Sequence, residues 1–417
     1  MLCGGRLRQP ACTADHPQEQ LPENRYPVME KSQKFHPKNV LSISFAHFIH
    51  DVYSFFLSPI LPLLIEKFGI SYFSASLLDF SRRFPSILNP FIGMYIGRFR
   101  IKYFVIFAPA ITCTSMSLIG AAPHYTLLVA LLLIMGISNA FFHVPAPVMI
   151  KSFSGPRTGK GMSFYMVGGE LARTLGPVII VGAVSLWGLE GTYRLIPFGL
   201  VASLWLWYRF KDITIQKETS RESRTGFKTT LKTHMWLFVL LGGILFFRAI
   251  MKMAIINFLP TYLNETGKSL WFGGVSLSVF QIAGAVGTYF AGSLSDKLGR
   301  MKTLLIITVV TPLTVLLFAY VQGVWVLPVL VLMGFFMLAS GPVLLALVMD
   351  KATRHHSFMN GIYMTLTFVS ASVSSLLVGL MGDWVGLVST YKISAFLAFL
   401  AIPFVIFLSA RERKKLM

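Results

Sequence analysis

Residues 292–302 read Gly292-Ser-Leu-Ser-Asp296-Lys297-Leu-Gly299-Arg300-Met-Lys302. An apolar run, 271–294, leads into this segment, and another, 303–321, leads out of it. At 1.5 Å per residue, each run is long enough as a helix to cross a ~30 Å hydrocarbon layer. A short basic turn between two bilayer-length apolar runs is the repeating unit of a polytopic helical membrane protein.

The unit recurs along the whole chain. Apolar runs lie near 41–65, 74–97, 103–121, 125–150, 160–185, 190–208, 234–260, 271–294, 303–321, 325–349, 358–381 and 388–409. These runs lack the two-residue alternation of barrel strands, so helix is the spanning form. Composition agrees: charged residues are 13% of the 417 and hydrophobic residues 54%, where soluble domains carry ~25% charge. So few charges cannot cover a soluble globule of this size.

The formal net charge is +20, which in a soluble protein would point to nucleic acid. Position assigns it differently. The segments to Lys38, 98–102, 151–160, 209–232, 297–302, 351–354 and 411–415 carry 28 of the 37 Lys and Arg. All fall on one side of the predicted topology. The other side holds Lys67, Arg194, Lys268 and Lys392. The excess therefore marks the cytoplasmic face, with both termini on it, in a plasma (inner) membrane. Nucleic-acid binding is set aside.

Residues 1–38 are polar, with no apolar h-region, and read as a disordered cytoplasmic tail rather than a signal peptide. Met29 is an alternative start. The rest divides into a six-helix half at 39–208, a basic linker at 209–233, a second six-helix half at 234–410 and a short tail at 411–417. A repeat supports the division. Leu61-Pro62 and Leu259-Pro260, Phe68-Gly69 and Thr266-Gly267, and Tyr165-Met166 and Tyr363-Met364 each stand 198 apart, and Gly93 and Gly292 stand 199 apart. The expected fold is an all-α membrane protein of twelve transmembrane helices in two pseudo-symmetric halves. Parallel halves of this kind place a substrate site between them near the bilayer midplane. Cys3, Cys12 and Cys113 form no metal or disulfide framework.

The loop from Gly292 to Lys302 resembles the signature loop of the major facilitator superfamily. That resemblance implies a gating role for Gly292, Asp296, Lys297, Gly299 and Arg300, with the Asp holding one conformation shut. The first-half counterpart, Gly93-Met-Tyr-Ile-Gly97-Arg98-Phe-Arg100, has Gly97 where the Asp would stand, so the second loop bears more of the gating. Span five, with Gly168-Gly169-Glu170-Leu-Ala-Arg173-Thr-Leu-Gly176-Pro177, resembles the Gly-Pro motif of drug/proton antiporters. Generic small-residue packing is its other reading. His47-Phe-Ile-His50-Asp51, Asn89-Pro90-Phe-Ile-Gly93 and Gly136-Ile-Ser-Asn-Ala140-Phe-Phe142-His143 are similar to the fosmidomycin-resistance type of exporter. That drug is a phosphonate. Glu170 departs from an expected amide, and Arg82-Arg83 from small or polar residues.

Charge inside the spans is costly and so usually serves a purpose. Asp51 lies ~15 Å into span one, Glu170 ~15 Å along span five, and Arg82 and Arg83 ~12–14 Å from the outer end of span two. Asp51, Glu170, His47 and His143 are the proton-coupling candidates. His143 also reads as a packed polar residue and Asp51 as structural. Arg82, Arg83, Arg173 and Arg248 are the substrate-binding candidates. Asp79 shares a helical face with Arg82 and Arg83, as Glu170 does with Arg173, so both sets also read as structural ion pairs. Lys252 reads as a further cavity cation or as a snorkelling one.

Five intramembrane cations stand against three carboxylates, favouring an anionic or zwitterionic small solute. No Walker motif is present, so an ion gradient is the expected drive. The expected function is a proton-coupled exporter acting as a monomer, without cofactor. Proton-coupled uptake of an organic anion is the alternative. A receptor is remote. So is a membrane enzyme built on a metal at His47 and His50, because no second His/Asp/Glu cluster at comparable depth completes a set.

Overall fold

The computed structural model describes residues 35–89, 92, 101–212, 227–351 and 356–414. Fifteen α-helices account for most of these residues. They are α1 (Pro37–Ser54), α2 (Leu57–Phe68), α3 (Tyr72–Arg83), α4 (Ile101–Leu118), α5 (Tyr125–His143), α6 (Pro145–Ser154), α7 (Thr158–Trp187) and α8 (Ile196–Phe210). After 213–226 come α9 (Phe227–Glu265), α10 (Leu270–Leu298), α11 (Arg300–Phe318), α12 (Val326–Leu338), α13 (Ser340–Lys351), α14 (His356–Phe399) and α15 (Ala401–Lys414).

Local chemistry sets the ends. Ser71 and Ser269 cap α3 and α10, accepting from the backbone N–H three residues on, which satisfies a donor that the first helical turn leaves free. Pro145 follows the break between α5 and α6, where its ring obstructs a continuous helix. Gly386 interrupts α14 at φ 74° and ψ 163°, a backbone shape that side chains with a Cβ rarely adopt.

Nine segments among the described residues are long and apolar enough to cross a membrane. Three differences separate this from the twelve expected. Span 74–97 runs into residues outside the description. Span 190–208 yields only the 15 residues of α8. Spans 358–381 and 388–409 lie in one 52-residue stretch, Gly361–Glu412, bent at Gly386. The first helix begins at Pro37, two residues inside the expected tail. The first-half loop at 93–100 and most of the tail and linker fall outside the described residues.

Three apolar cores organise the packing. One draws only on 40–210, with Val40, Phe142 and Phe210. A second draws only on 237–408, with Leu241, Leu347 and Val405. The third joins the two halves, with Phe56, Ile60 and Leu78 against Phe258, Leu259 and Tyr391. Its members cluster toward the short turns at 69–71, 122–124 and 265–269. The halves are thus packed together at that end, and among the described residues the other two cores each stay within one half. At the join, the Ser58 hydroxyl lies 2.7 Å from the Ile256 carbonyl, its partner exactly one repeat length, 198 residues, along the chain.

Candidate functional site

The first polar cluster forms where α1, the end of α5 and α7 meet. His47 and Asp51 are four apart and share a face of α1. His47 Nε2 lies 3.1 Å from Asp51 Oδ2, and His143 Nε2 lies 3.1 Å from Asp51 Oδ1. Tyr165 of α7 backs both rings. Its carbonyl is 2.7 Å from His47 Nδ1, and its hydroxyl 3.3 Å from His143 Nδ1. A carbonyl only accepts, so His47 Nδ1 carries a hydrogen. A neutral His47 would then turn an Nε2 lone pair toward a carboxylate oxygen. Two acceptors at that distance require a proton between them, so the cluster suits a shared proton. Room for the ring comes from Gly169, where a Cβ would stand 2.6 Å from His47 Cε1.

His143, and not the His50 expected beside His47 in a metal pair, completes this cluster. Its Nε2, with His47 and the Asp51 carboxylate, forms a set of donor atoms all within 4.8 Å of one another, close enough to surround a small cation. His143 is the open side of this otherwise buried set, its side chain 31% exposed.

The second cluster centres on Asp79 of α3, which is buried. Arg82 gives Nε at 2.8 Å and Nη2 at 2.5 Å to Asp79 Oδ1. Arg83 gives Nε at 2.9 Å to Oδ2. Two groups from the other half complete it: Asn257 Nδ2 at 3.0 Å and Ser375 Oγ at 2.9 Å, both on Oδ2.

The third cluster lies between the halves. Arg173 Nη1 is 3.1 Å from Glu170 Oε1. Lys252 has Arg173, Arg83 and Arg248 within electrostatic range, all opposing its charge, and Glu170 as the carboxylate offsetting it. Arg248 is buried in the second half, reaching the Thr308 hydroxyl and the Met337 carbonyl at 3.4 Å each. Arg173, Arg248 and Lys252 therefore stand with Glu170, and Arg83 is shared between this group and Asp79. Arg82 belongs with Asp79 rather than with this group.

The loop after α10 is self-contained. Arg300 Nη1 pairs with Asp296 at 2.5 Å, and its Nε with Asp350 at 3.3 Å. Gly299 takes φ 89°, letting α10 and α11 turn within one residue. Among the described residues, Asp296 pairs with Arg300 of its own half.

The sequence profile of the Major Facilitator Superfamily matches residues 43–374 and 277–416. The chain belongs to the Major Facilitator Superfamily. Relatives of this superfamily member include the fosmidomycin resistance protein of Escherichia coli, 22% identical over 370 residues and covering 87% of this chain and 90% of that protein. The multidrug resistance protein MdtG of Serratia proteamaculans is 22% identical over 287 residues, covering 66% and 69%. Among solved structures, a bacterial homologue of the human lysosomal transporter Spinster, inward-facing and occupied, superposes with a TM-score of 0.73 at 13% identity, covering 91% of this chain and 96% of that one. The nucleoside transporter NupG gives 0.71 at 14% identity, covering 88% and 99%. The chain is a transporter rather than an enzyme, and a multi-pass membrane protein.

Sequence reasoning missed Tyr165 as a positioning group, noticing it only as half of a repeat pair. It also missed Asn257, Ser375 and Asp383. All except Asp383 are uncharged, and a single polar residue within an apolar run carries no pattern.

Proposed function

We propose that this superfamily member is a secondary active transporter of the plasma membrane that exports a small anionic or zwitterionic solute in exchange for protons. The observation that carries the reading is the excess of cations around Lys252: Arg83, Arg173, Arg248 and Lys252 itself against Glu170 and the Asp79 that pairs with Arg83. Unpaired positive charge in a low-dielectric cavity is costly unless a ligand neutralises it. Forked guanidinium groups beside an ammonium suit carboxylate or phosphonate oxygens.

The proton site is Asp51 with His47 and His143, whose facing acceptors need a shared proton. With the basic loops in the cytoplasm, the halves part toward the cytoplasm, so substrate enters from inside and the loop at Asp296 closes behind it. Export is supported by the resistance names of two relatives. Purified protein in proteoliposomes, offered a panel of carboxylates and phosphonates under an imposed pH gradient, tests the reading. Gradient-dependent movement of an anion supports it, and movement of hydrophobic cations alone rejects it.

A further inference from the structure

The seam between α3 and α14 gives Asp79 a part in the transport reaction. Tyr72, Ser76 and Asp79 recur four and three residues apart, forming one stripe of α3. Ser375, Gly379 and Gly382-Asp383 of α14 lie against it in reverse order. At the outer end, Asp383 accepts from the Tyr72 and Phe73 backbone N–H groups at 2.7 and 3.0 Å, capping α3 from the other half. In the middle, a Cβ on Gly379 would stand 2.3 Å from Ser76 Oγ and 2.7 Å from the Tyr72 carbonyl. At the inner end, Ser375 and Asn257 reach Asp79.

Held in this seam, Asp79 makes the two adjacent arginines unequal. Arg82 turns Nε and Nη2 onto one carboxylate oxygen, and its side chain is 14% exposed. One whole edge of its guanidinium is thereby taken. Arg83 gives up only Nε, is 26% exposed, and keeps both terminal nitrogens without a partner among the described residues. Lys252 of the other half lies within electrostatic range of Arg83. An incoming anion thus meets one ammonium, the end of one guanidinium, and a fixed negative charge behind them.

We propose that Asp79 is a specificity-determining residue. As a built-in counter-anion it withholds Arg82 and one edge of Arg83, so the cavity takes a singly charged anionic head between Arg83 and Lys252 and disfavours a doubly charged one. This rests on the anionic reading above.

The decisive variant is Asp79→Asn combined with Arg82→Gln, which leaves the net charge unchanged and frees Arg83 Nε. The probes are benzoate, singly charged, and phenylphosphonate at a pH where it is doubly ionised. Their affinities for the purified full-length protein are read by titration calorimetry. Phenylphosphonate is expected to gain about tenfold over benzoate in the double variant, the value of one charge-assisted bond. Asn257→Ala, which loosens the seam but keeps the carboxylate, should leave the ratio unchanged. If the double variant does not fold, Asp79→Asn alone carries the same expected direction. An unchanged ratio in a folded, benzoate-binding variant overturns the proposal. So does an equal shift in Asn257→Ala, because the seam rather than the charge would then decide. Wild-type protein that binds neither anion would instead sink the anionic reading itself.

Discussion

Replacing Lys252 by Gln should weaken the substrate complex and strengthen the empty protein. The ammonium sits among Arg173, Arg83 and Arg248, with Glu170 the carboxylate offsetting them. A charge-assisted bond from an ammonium to a bound anion contributes about 1.5–3 kcal/mol. Its loss weakens binding by about 10- to 150-fold. The three guanidinium groups remain, so the lower part of that range, about 10- to 30-fold, is expected. In the empty protein the sign reverses. Removing Lys252 relieves its repulsion from three guanidinium groups and forfeits one attraction to Glu170, for a net gain on the order of 1 kcal/mol. Calorimetric affinity for an anionic substrate, and the melting temperature of ligand-free protein at the same pH, give the two readouts. Weaker binding with a higher melting temperature fits the cavity assignment. Unchanged affinity, or a melting temperature that falls with it, would mean that Lys252 serves packing, and the charge argument would collapse.

Other perturbations probe separate parts of the molecule. Asp296→Asn removes the partner of Arg300 and should lower the transport rate while leaving substrate affinity within about twofold; a rate equal to wild type would remove the gating role. Gly169→Ala places a methyl 2.6 Å from the His47 ring, so the ring must leave Asp51. Folding should survive, whereas proton-driven transport should drop at least tenfold. Retained coupling would show that the ring position is immaterial.

Apolar spans and local ion pairs were legible because each rests on a short-range rule. Apolar length marks a crossing, and spacing of three or four on a helix brings Asp79 to Arg82 and Arg83, and Glu170 to Arg173. The same rule paired His47 with Asp51. What it could not supply was anything between helices. His143 lies 92 residues from Asp51 in sequence, and Ser375 lies 296 from Asp79. Only the packing of the bundle makes them neighbours. Arg82 shows the limit from the other direction. Read both as a substrate contact and as an ion-pair partner of Asp79, it turns Nε and Nη2 onto that carboxylate, and nothing in the spacing distinguished it from Arg83. The bend at Gly386 falls in the gap left between the apolar runs 358–381 and 388–409, where Asp383 also stands.

Coupling is the central claim, and one comparison reaches it directly. Wild-type and Asp51→Asn proteins are reconstituted side by side in proteoliposomes loaded with a transported anion. Net transport driven by an imposed pH gradient is measured first, then counterflow exchange of labelled for unlabelled anion with no gradient. Exchange needs only binding and alternation of the halves, whereas gradient-driven movement also needs the proton held between Asp51, His47 and His143. The account predicts that Asp51→Asn abolishes gradient-driven transport and keeps counterflow within about threefold of wild type. Gradient-driven transport that survives the substitution would contradict it.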